Sequence, residues 1–322
     1  MRLLLFLCLL LPLPAAAEWH RESRDMMGTR IEVELWSERE EQALRAIARV
    51  MDSMAQVNAL MNPWDEDSEL ALLNREAQHR AVPVSAELYT VIERALYYSR
   101  LSEGAFDISF ASVGQFYDYR AAQAPDAERV AAYRDKINYR AIKLHPQSRS
   151  ISYDIEGLQV DLGGIAKGYA VDRGIDILVE EGIRGGVVSA GGDSRILGDL
   201  GDRPRTIGIR HPRKEGEFAV MIPLADTAIS TSGDYERFFI QDGVRVHHIL
   251  DPGTGRSSAS MQSASILSDR AIDSDALSTT TFVLGVGKGL ALINSLPGVD
   301  AIIIDAEGKL HYSDGLLREQ SP

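Results

Sequence analysis

Between Gly28 and Trp36 (GTRIEVELW) apolar and polar residues alternate, which predicts a half-buried strand. The period then lengthens. Ser37 reads as the cap of a long helix that places Ala43, Ile47, Val50, Met51, Met54, Val57 and Met61 on one face. A second amphipathic helix follows Ser85 and carries Leu88, Val91, Ile92, Ala95, Leu96 and Tyr98. The alanine-rich, charged stretch 120–136 predicts a surface helix. Short strands return from Ile142 to Val160, with a hairpin break at Pro146 to Arg149. A glycine-rich turn at 160–168 opens a helix to about Glu181. Strand patterns then dominate: Gly186 to Ala190, Thr206 to Arg210, Phe218 to Leu224, Arg237 to Ile240, Val244 to Leu250 and Gln262 to Leu267. Asp273 to Leu284 and Lys288 to Ser295 read as helical, and Ala301 to Ile304 and Leu310 to Tyr312 as closing strands. Helices and strands mix without a βαβ rhythm, so the fold class expected is α+β with antiparallel sheet. No repeat, low-complexity tract or flexible linker divides the chain.

The N-terminus has a different pattern. Met1-Arg2, the apolar run Leu3 to Leu11 and the small-residue site Ala15-Ala16-Ala17 are the three parts of a secretory signal peptide, cleaved after Ala17. The run is shorter than the roughly 20 apolar residues of a permanent span. No other window reads as long and apolar enough, so a soluble mature protein of residues 18–322 is expected in the periplasm. The sole cysteine, Cys8, lies within that leader, too early to be a lipidated cysteine. The mature chain therefore has no disulfide, cysteine nucleophile or thiolate metal site. With 34 basic and 47 acidic side chains, bulk electrostatics argue against a nucleic-acid partner. A phosphate ligand would need its charge offset locally, by a metal or by helix N-termini.

Five clusters carry candidate chemistry. Asp275 and Thr279 lie four apart, so a helix presents both oxygens on one face, with Asp273 nearby; such hard ligands suit magnesium alongside substrate phosphates. Acids in a first helical turn are equally explained by the helix dipole. The turn Asp161 to Gly168 brings backbone amides and a helix N-terminus to bear on a phosphate, though its spacing is not a Rossmann fingerprint. Gly104-Ala105-Phe106-Asp107 offers a ring and a carboxylate to a flat ligand, or merely a core Phe and a capping Asp. His247 and His248 open a strand-to-turn segment; adjacent strand residues face opposite ways, so they would not share one metal. Ser189 to Asp193 reads as a strand end and a loop lining a cleft. G-x-S-x-G, Walker A and H-E-x-x-H are all missing from the chain.

Taken together, in order and wording, these segments resemble the ApbE-type FAD:protein FMN transferases. The blocks are Met27-Gly28-Thr29, M-N-P-W-D-E-D-S-E-L at 61–70, G-A-F-D at 104–107 and D-L-G-G-I-A-K-G-Y-A-V-D at 161–172. They continue with G-G-D at 191–193, T-S-G-D-Y at 231–235, H-I-L-D-P-G-T-G at 248–255 and D-A-L-S-T at 275–279. The resemblance implies a single domain with the ApbE variant of the T-fold, built of antiparallel sheets and packed helices. It implies FAD as substrate, Mg2+ as cofactor, and transfer of FMN to a threonine of a target flavoprotein, with AMP released. The carried-over metal site is Asp275, Thr279 and the backbone carbonyl of Gly164. The carried-over FAD contacts are Met27, Trp64, Ala105, Phe106, Asp107, Asp161, Lys167, His248 and Ile249.

Two departures stand out. Some relatives carry a second acid before the metal-binding threonine, where this chain has Ser278, and many are lipoproteins. In the reaction so implied, Lys167 and Asp275 serve the transferring phosphate, directly and through magnesium. His248 is the candidate base, because histidine titrates near neutrality. Trp64 and Phe106 are candidates for stacking, with core packing as the alternative. The rival functions are a magnesium-dependent FAD pyrophosphatase and a periplasmic flavin-binding or delivery protein. A membrane redox subunit is the kind of acceptor the family suggests, and a monomer is the expected state.

Overall fold

The computed structural model describes residues 18–198 and 205–319; the expected leader, residues 1–17 with Cys8, lies outside them. Eight strands form one antiparallel sheet whose spatial order equals their chain order. They are β1 (Glu18–Met26), β2 (Thr29–Ser37), β3 (Gly186–Ala190), β4 (Asp193–Leu197), β5 (Ala228–Gly233), β6 (Met261–Ser268), β7 (Asp300–Asp305) and β8 (Leu310–Tyr312). Four helices matter most: α1 (Glu40–Met61), α2 (Ala86–Leu101), α3 (Ala166–Glu180) and α4 (Ala271–Asn294). The expected α+β class with antiparallel sheet and packed helices is what the chain adopts.

The period of two along the strands sorts their side chains between two cores. Val188, Ala228, Ile266 and Ile303 join the helix-covered core, where α1, α3 and α4 pack. Their neighbours Val187, Ile229, Leu267 and Ile302 join a smaller core on the opposite face, under the hairpin Arg205–Arg210/Phe218–Leu224. All seven apolar positions expected on α1 are buried, as are the six on α2. Ser85 caps α2 by accepting from the amide of Leu88 (3.2 Å). Ser37 does not cap α1, which starts three residues later. Its hydroxyl accepts from the amide of Arg39 (3.0 Å), and Arg39, the N-cap residue, supplies no side-chain cap.

Other expectations shift. The surface helix of 120–136 shrinks to Ala127–Arg134, because Pro125 and the capping side chain of Asp126 set its start. Val244 to Leu250 breaks into Val244–His247 and Leu250–Asp251 around His248. The two helical segments at 273–295 are one helix, α4, interrupted at Gly285 (φ 78°). By length and composition α4 is long and apolar enough to cross a bilayer, against the expectation that only the leader had an apolar run of note. It packs on β5 and β6 and against α3, with Ser274, Asp275, Ser278, Thr280 and Thr281 buried in the interface.

Candidate functional site

The site forms where the glycine turn before α3 meets the first turns of α4. Gly168 permits that approach: a Cβ there would lie 2.2 Å from the carbonyl oxygen of Ala271. Its amide donates to Asp275 Oδ2 (2.9 Å). One residue earlier, Lys167 Nζ contacts Asp193 Oδ2 (2.7 Å), Asp275 Oδ1 (3.3 Å) and the carbonyl of Gly163 (3.2 Å). Gly164 is wedged between Phe106 and Thr279: a Cβ on it would stand 3.3 Å from both the Phe106 ring and Thr279 Oγ1. The three candidate metal ligands, Gly164, Asp275 and Thr279, are thereby brought to one place, and Lys167 with them.

Asp193 and Asp275 are 2 % and 3 % exposed, and one ammonium lies between them. Burial, and then the charge of Asp193, push the Asp275 carboxyl up to about 7; Lys167 and the Gly168 amide only partly oppose this. Burial alone would lower the Lys167 ammonium, but Asp193 and Asp275 hold it above the ordinary lysine range. The cluster is short of positive charge and offers only oxygen donors, a combination that suits a hard divalent cation. Among the described residues no three His, Cys, Asp or Glu side chains converge as a metal cage, so any such ion would need hydroxyl and carbonyl oxygens as well.

The departure in α4, Ser278, becomes concrete here. Ser278 is buried, donates to the carbonyl of Asp275 (2.8 Å), and shares a hydrogen bond with Ser232 (2.8 Å). Ser232 also reaches Thr279 Oγ1 (3.2 Å). Asp273, which the sequence places near Asp275 and Thr279, is turned to Arg94 on α2 (2.7 Å).

The remaining candidates differ in how they are placed. Asp161 Oδ1 accepts from Gly163 N (2.6 Å), and its amide bonds Ile108 O (3.0 Å), tying the glycine turn to the segment after Asp107. Burial raises its carboxyl, opposed by Gly163, Arg237 and Lys167. Asp107 is spent on structure: Oδ1 accepts from the Ser109 amide and hydroxyl, and Oδ2 from Tyr139 N. Phe106 is core, 3 % exposed and met edge-on by Tyr98. Ala105 is half-buried and borders an open cleft of about 570 Å³, whose other walls include Asp251, Val283 and Lys288. Trp64, by contrast, is 71 % exposed, so core packing does not explain it. Met27 and Gly28 (φ 54° and 68°) make the two-residue turn of the β1–β2 hairpin, with positive φ at both positions as a type I′ turn requires. Ile249 is buried, and its amide donates to His247 Nδ1 (3.3 Å).

His247 and His248 do part company. His247 Nε2 meets the carbonyl of Ser258 (2.6 Å), whereas His248 Nδ1 is buried without a partner. Burial, then the charges of Arg237, His247 and Lys167, pull His248 down to about 3, far from the neutral range expected of it. It is thus a neutral imidazole with an unused acceptor or donor nitrogen. Two residues beyond the candidates belong to the centre. Asp193 was legible only as the end of a glycine loop, although a buried acid at a strand start is a signal. Arg237, read only as the start of a strand to Ile240, gave none.

Comparison with known proteins fits this geometry. The ApbE family model matches residues 27–303. An FAD:protein FMN transferase of Treponema pallidum is 32 % identical over 311 residues, 91 % of this chain and 86 % of its own. That of Vibrio cholerae is 32 % identical over 275 residues, covering 82 % and 81 %. Among solved structures, the ApbE protein of Thermotoga maritima superposes with a TM-score of 0.87 at 29 % identity, over 95 % of this chain and all of that one. The flavin transferase ApbE of Vibrio cholerae gives 0.84 at 28 % identity, over 94 % and 99 %.

Proposed function

The chain belongs to the ApbE family, and from that premise we propose that it is a magnesium-dependent FAD:protein FMN transferase that modifies a threonine of an acceptor flavoprotein. The observation that carries the reading is the buried Asp193–Lys167–Asp275 cluster beside Gly164 and Thr279, at the N-terminus of α3. Asp275, Thr279 and the Gly164 carbonyl are the residues to hold magnesium, whose chemistry when bound is to neutralise charge on the phosphate oxygens.

The chain's own residues do the rest. Phosphoryl transfer needs alignment and charge neutralisation more than covalent help. Lys167 and the amides that open α3 supply positive potential to the pyrophosphate of FAD. The threonine oxygen attacks the phosphorus on the FMN side; a phosphoester bond forms, the pyrophosphate bond breaks, and AMP departs with the bridging oxygen. His248 Nδ1, buried and unpartnered, is the acceptor for the threonine proton. The two phosphate charges of FAD offset Arg237 and Lys167, which relieves two of the charges that hold His248 down, although burial is the larger cause. Trp64, standing exposed, stacks on a ring of FAD. The leader-like residues 1–17 support work in the periplasm.

The test is to mix the mature protein with FAD, magnesium and an acceptor domain with an exposed threonine, then read flavin fluorescence in a denaturing gel. A fluorescent acceptor band, lost with EDTA or with Asp275→Ala, is the expected result. AMP and FMN in solution with a dark band would replace it by the pyrophosphatase reading, and intact bound FAD by the carrier.

A further inference from the structure

Two cations act on the centre formed by Asp161 and His248: Lys167 and Arg237. Their situations differ. Lys167 is held by two carboxylates and a carbonyl, so its charge is already committed within the protein. Arg237 has no carboxylate partner among the described residues. One Nη2 hydrogen bond goes to the carbonyl of Gly28 (3.0 Å), across 209 positions of sequence. Its own carbonyl accepts from the amide of His248 (3.1 Å). The residue is therefore held at both ends, its main chain by the main chain of His248 and its guanidinium by the Met27-Gly28 turn, while the rest of the fork has no other hydrogen bond among the described residues. The contact is tight enough that a Cβ on Gly28 would lie 2.7 Å from Nη2.

A solvated surface arginine needs no such anchoring. A planar fork with fixed direction and unspent donors, in a protein of net charge −13, is suited to a phosphate oxygen pair. We infer that Arg237 is a further substrate-binding residue, which grips the pyrophosphate of FAD from the rim of the site as the uncommitted partner of Lys167. This rests on the transferase reading for the identity of the ligand. It also gives the turn a purpose: Gly28, next to Met27 at φ 54°, is held in place by the residue that meets the phosphate.

The experiment compares the mature wild-type protein with Arg237→Gln and Arg237→Lys, each loaded with magnesium, after circular dichroism confirms that each is folded. FAD and riboflavin are titrated separately by flavin fluorescence, and FAD again across a series of NaCl concentrations. Loss of a charge-assisted contact weakens FAD by roughly 10- to 100-fold in Arg237→Gln, with Arg237→Lys between that variant and wild type. Riboflavin, which has no phosphate, is expected to change less than about twofold, and the salt dependence for FAD is expected to flatten in Arg237→Gln. FAD affinity unchanged in Arg237→Gln with an unaltered salt slope would overturn the inference. So would an equal loss for riboflavin, which would leave Arg237 as no more than a latch on the turn. A wild-type protein that binds FAD but labels no acceptor would sink the transferase reading and leave this comparison intact.

Discussion

Replacing Gly168 with alanine sets two rules of helix energetics against each other. Gly168 lies inside α3, where alanine is favoured over glycine by about 1 kcal/mol. The added methyl would sit 2.2 Å from Ala271 O, 2.6 Å from its carbonyl carbon and 2.8 Å from Asp275 Cβ. Two of those atoms are backbone, and α4 cannot drift alone, because the amides of Ala271 and Ile272 are each held 3.0 Å from the carboxylate of Asp172 on α3. Relief therefore means parting two helices by about 1 Å, an overpacking cost of about 1–3 kcal/mol. Parting them also weakens the bond from Gly168 N to buried Asp275, a charge-assisted contact of about 1.5–3 kcal/mol. Together these exceed the propensity gain, and the variant should lose about 2–5 kcal/mol. A 1 Å displacement of Asp275 also lowers transfer about 100-fold. Urea denaturation and the gel-fluorescence rate measure the two effects. A Gly168→Ala protein that is about 1 kcal/mol more stable and fully active would refute the reasoning, since propensity alone would then have decided the outcome.

Asp172→Asn should cost about 3–5 kcal/mol in denaturant, because it leaves Arg195 and Arg270 without their buried carboxylate and gives an amide donor to the α4 N–H groups. The metal-free protein should become less stable as pH rises from about 4 to about 7: Asp275 is lifted from 3.8 to about 7, so the folded state binds the extra proton in that window. Denaturation midpoints taken with EDTA at pH 5 and pH 8 should show the decline, and Asp275→Asn should abolish it. Trp64→Ala should leave stability within about 0.5 kcal/mol, as befits an exposed side chain, yet weaken FAD in a fluorescence titration. His248→Ala should slow acceptor labelling while FAD binding persists; labelling at the wild-type rate would remove His248 from the mechanism.

The helices were legible because their burial is one-sided: Ile47, Val50, Met51 and Met54 on α1 repeat at the helical period and all lie in the core. Three strands of the main sheet were not. β1 (EWHRESRDM) is an edge strand with no fully buried residue, so nothing forces alternation on it. β5 (AISTSG) is buried behind hydroxyls, because its partner surface on α4 is hydroxyl-rich: Ser230 meets Ser274, and Ser232 meets Ser278. A strand that packs through Ser–Ser hydrogen bonds gives no hydrophobic signal. In β4, Asp193 and Arg195 are committed to Lys167 and Asp172, which again hides a buried strand behind charges.

The same hydroxyl and carboxylate interfaces that concealed these strands assemble the centre. Asp193 opens β4, Ser232 is on β5, and Asp275 with Thr279 is on α4, so the polar atoms missing from the apolar pattern converge where α3 begins. Local sequence can show a glycine turn or an Asp–Thr pair at helical spacing. It cannot show that one ammonium will be shared by two buried carboxylates contributed from positions 193 and 275. That sharing depends on a sequentially ordered sheet holding the intervening elements together, and on Gly168 letting two helices touch. The positive-charge deficit that points to a cation is therefore a property of the packing, and it should vanish if either carboxylate is removed.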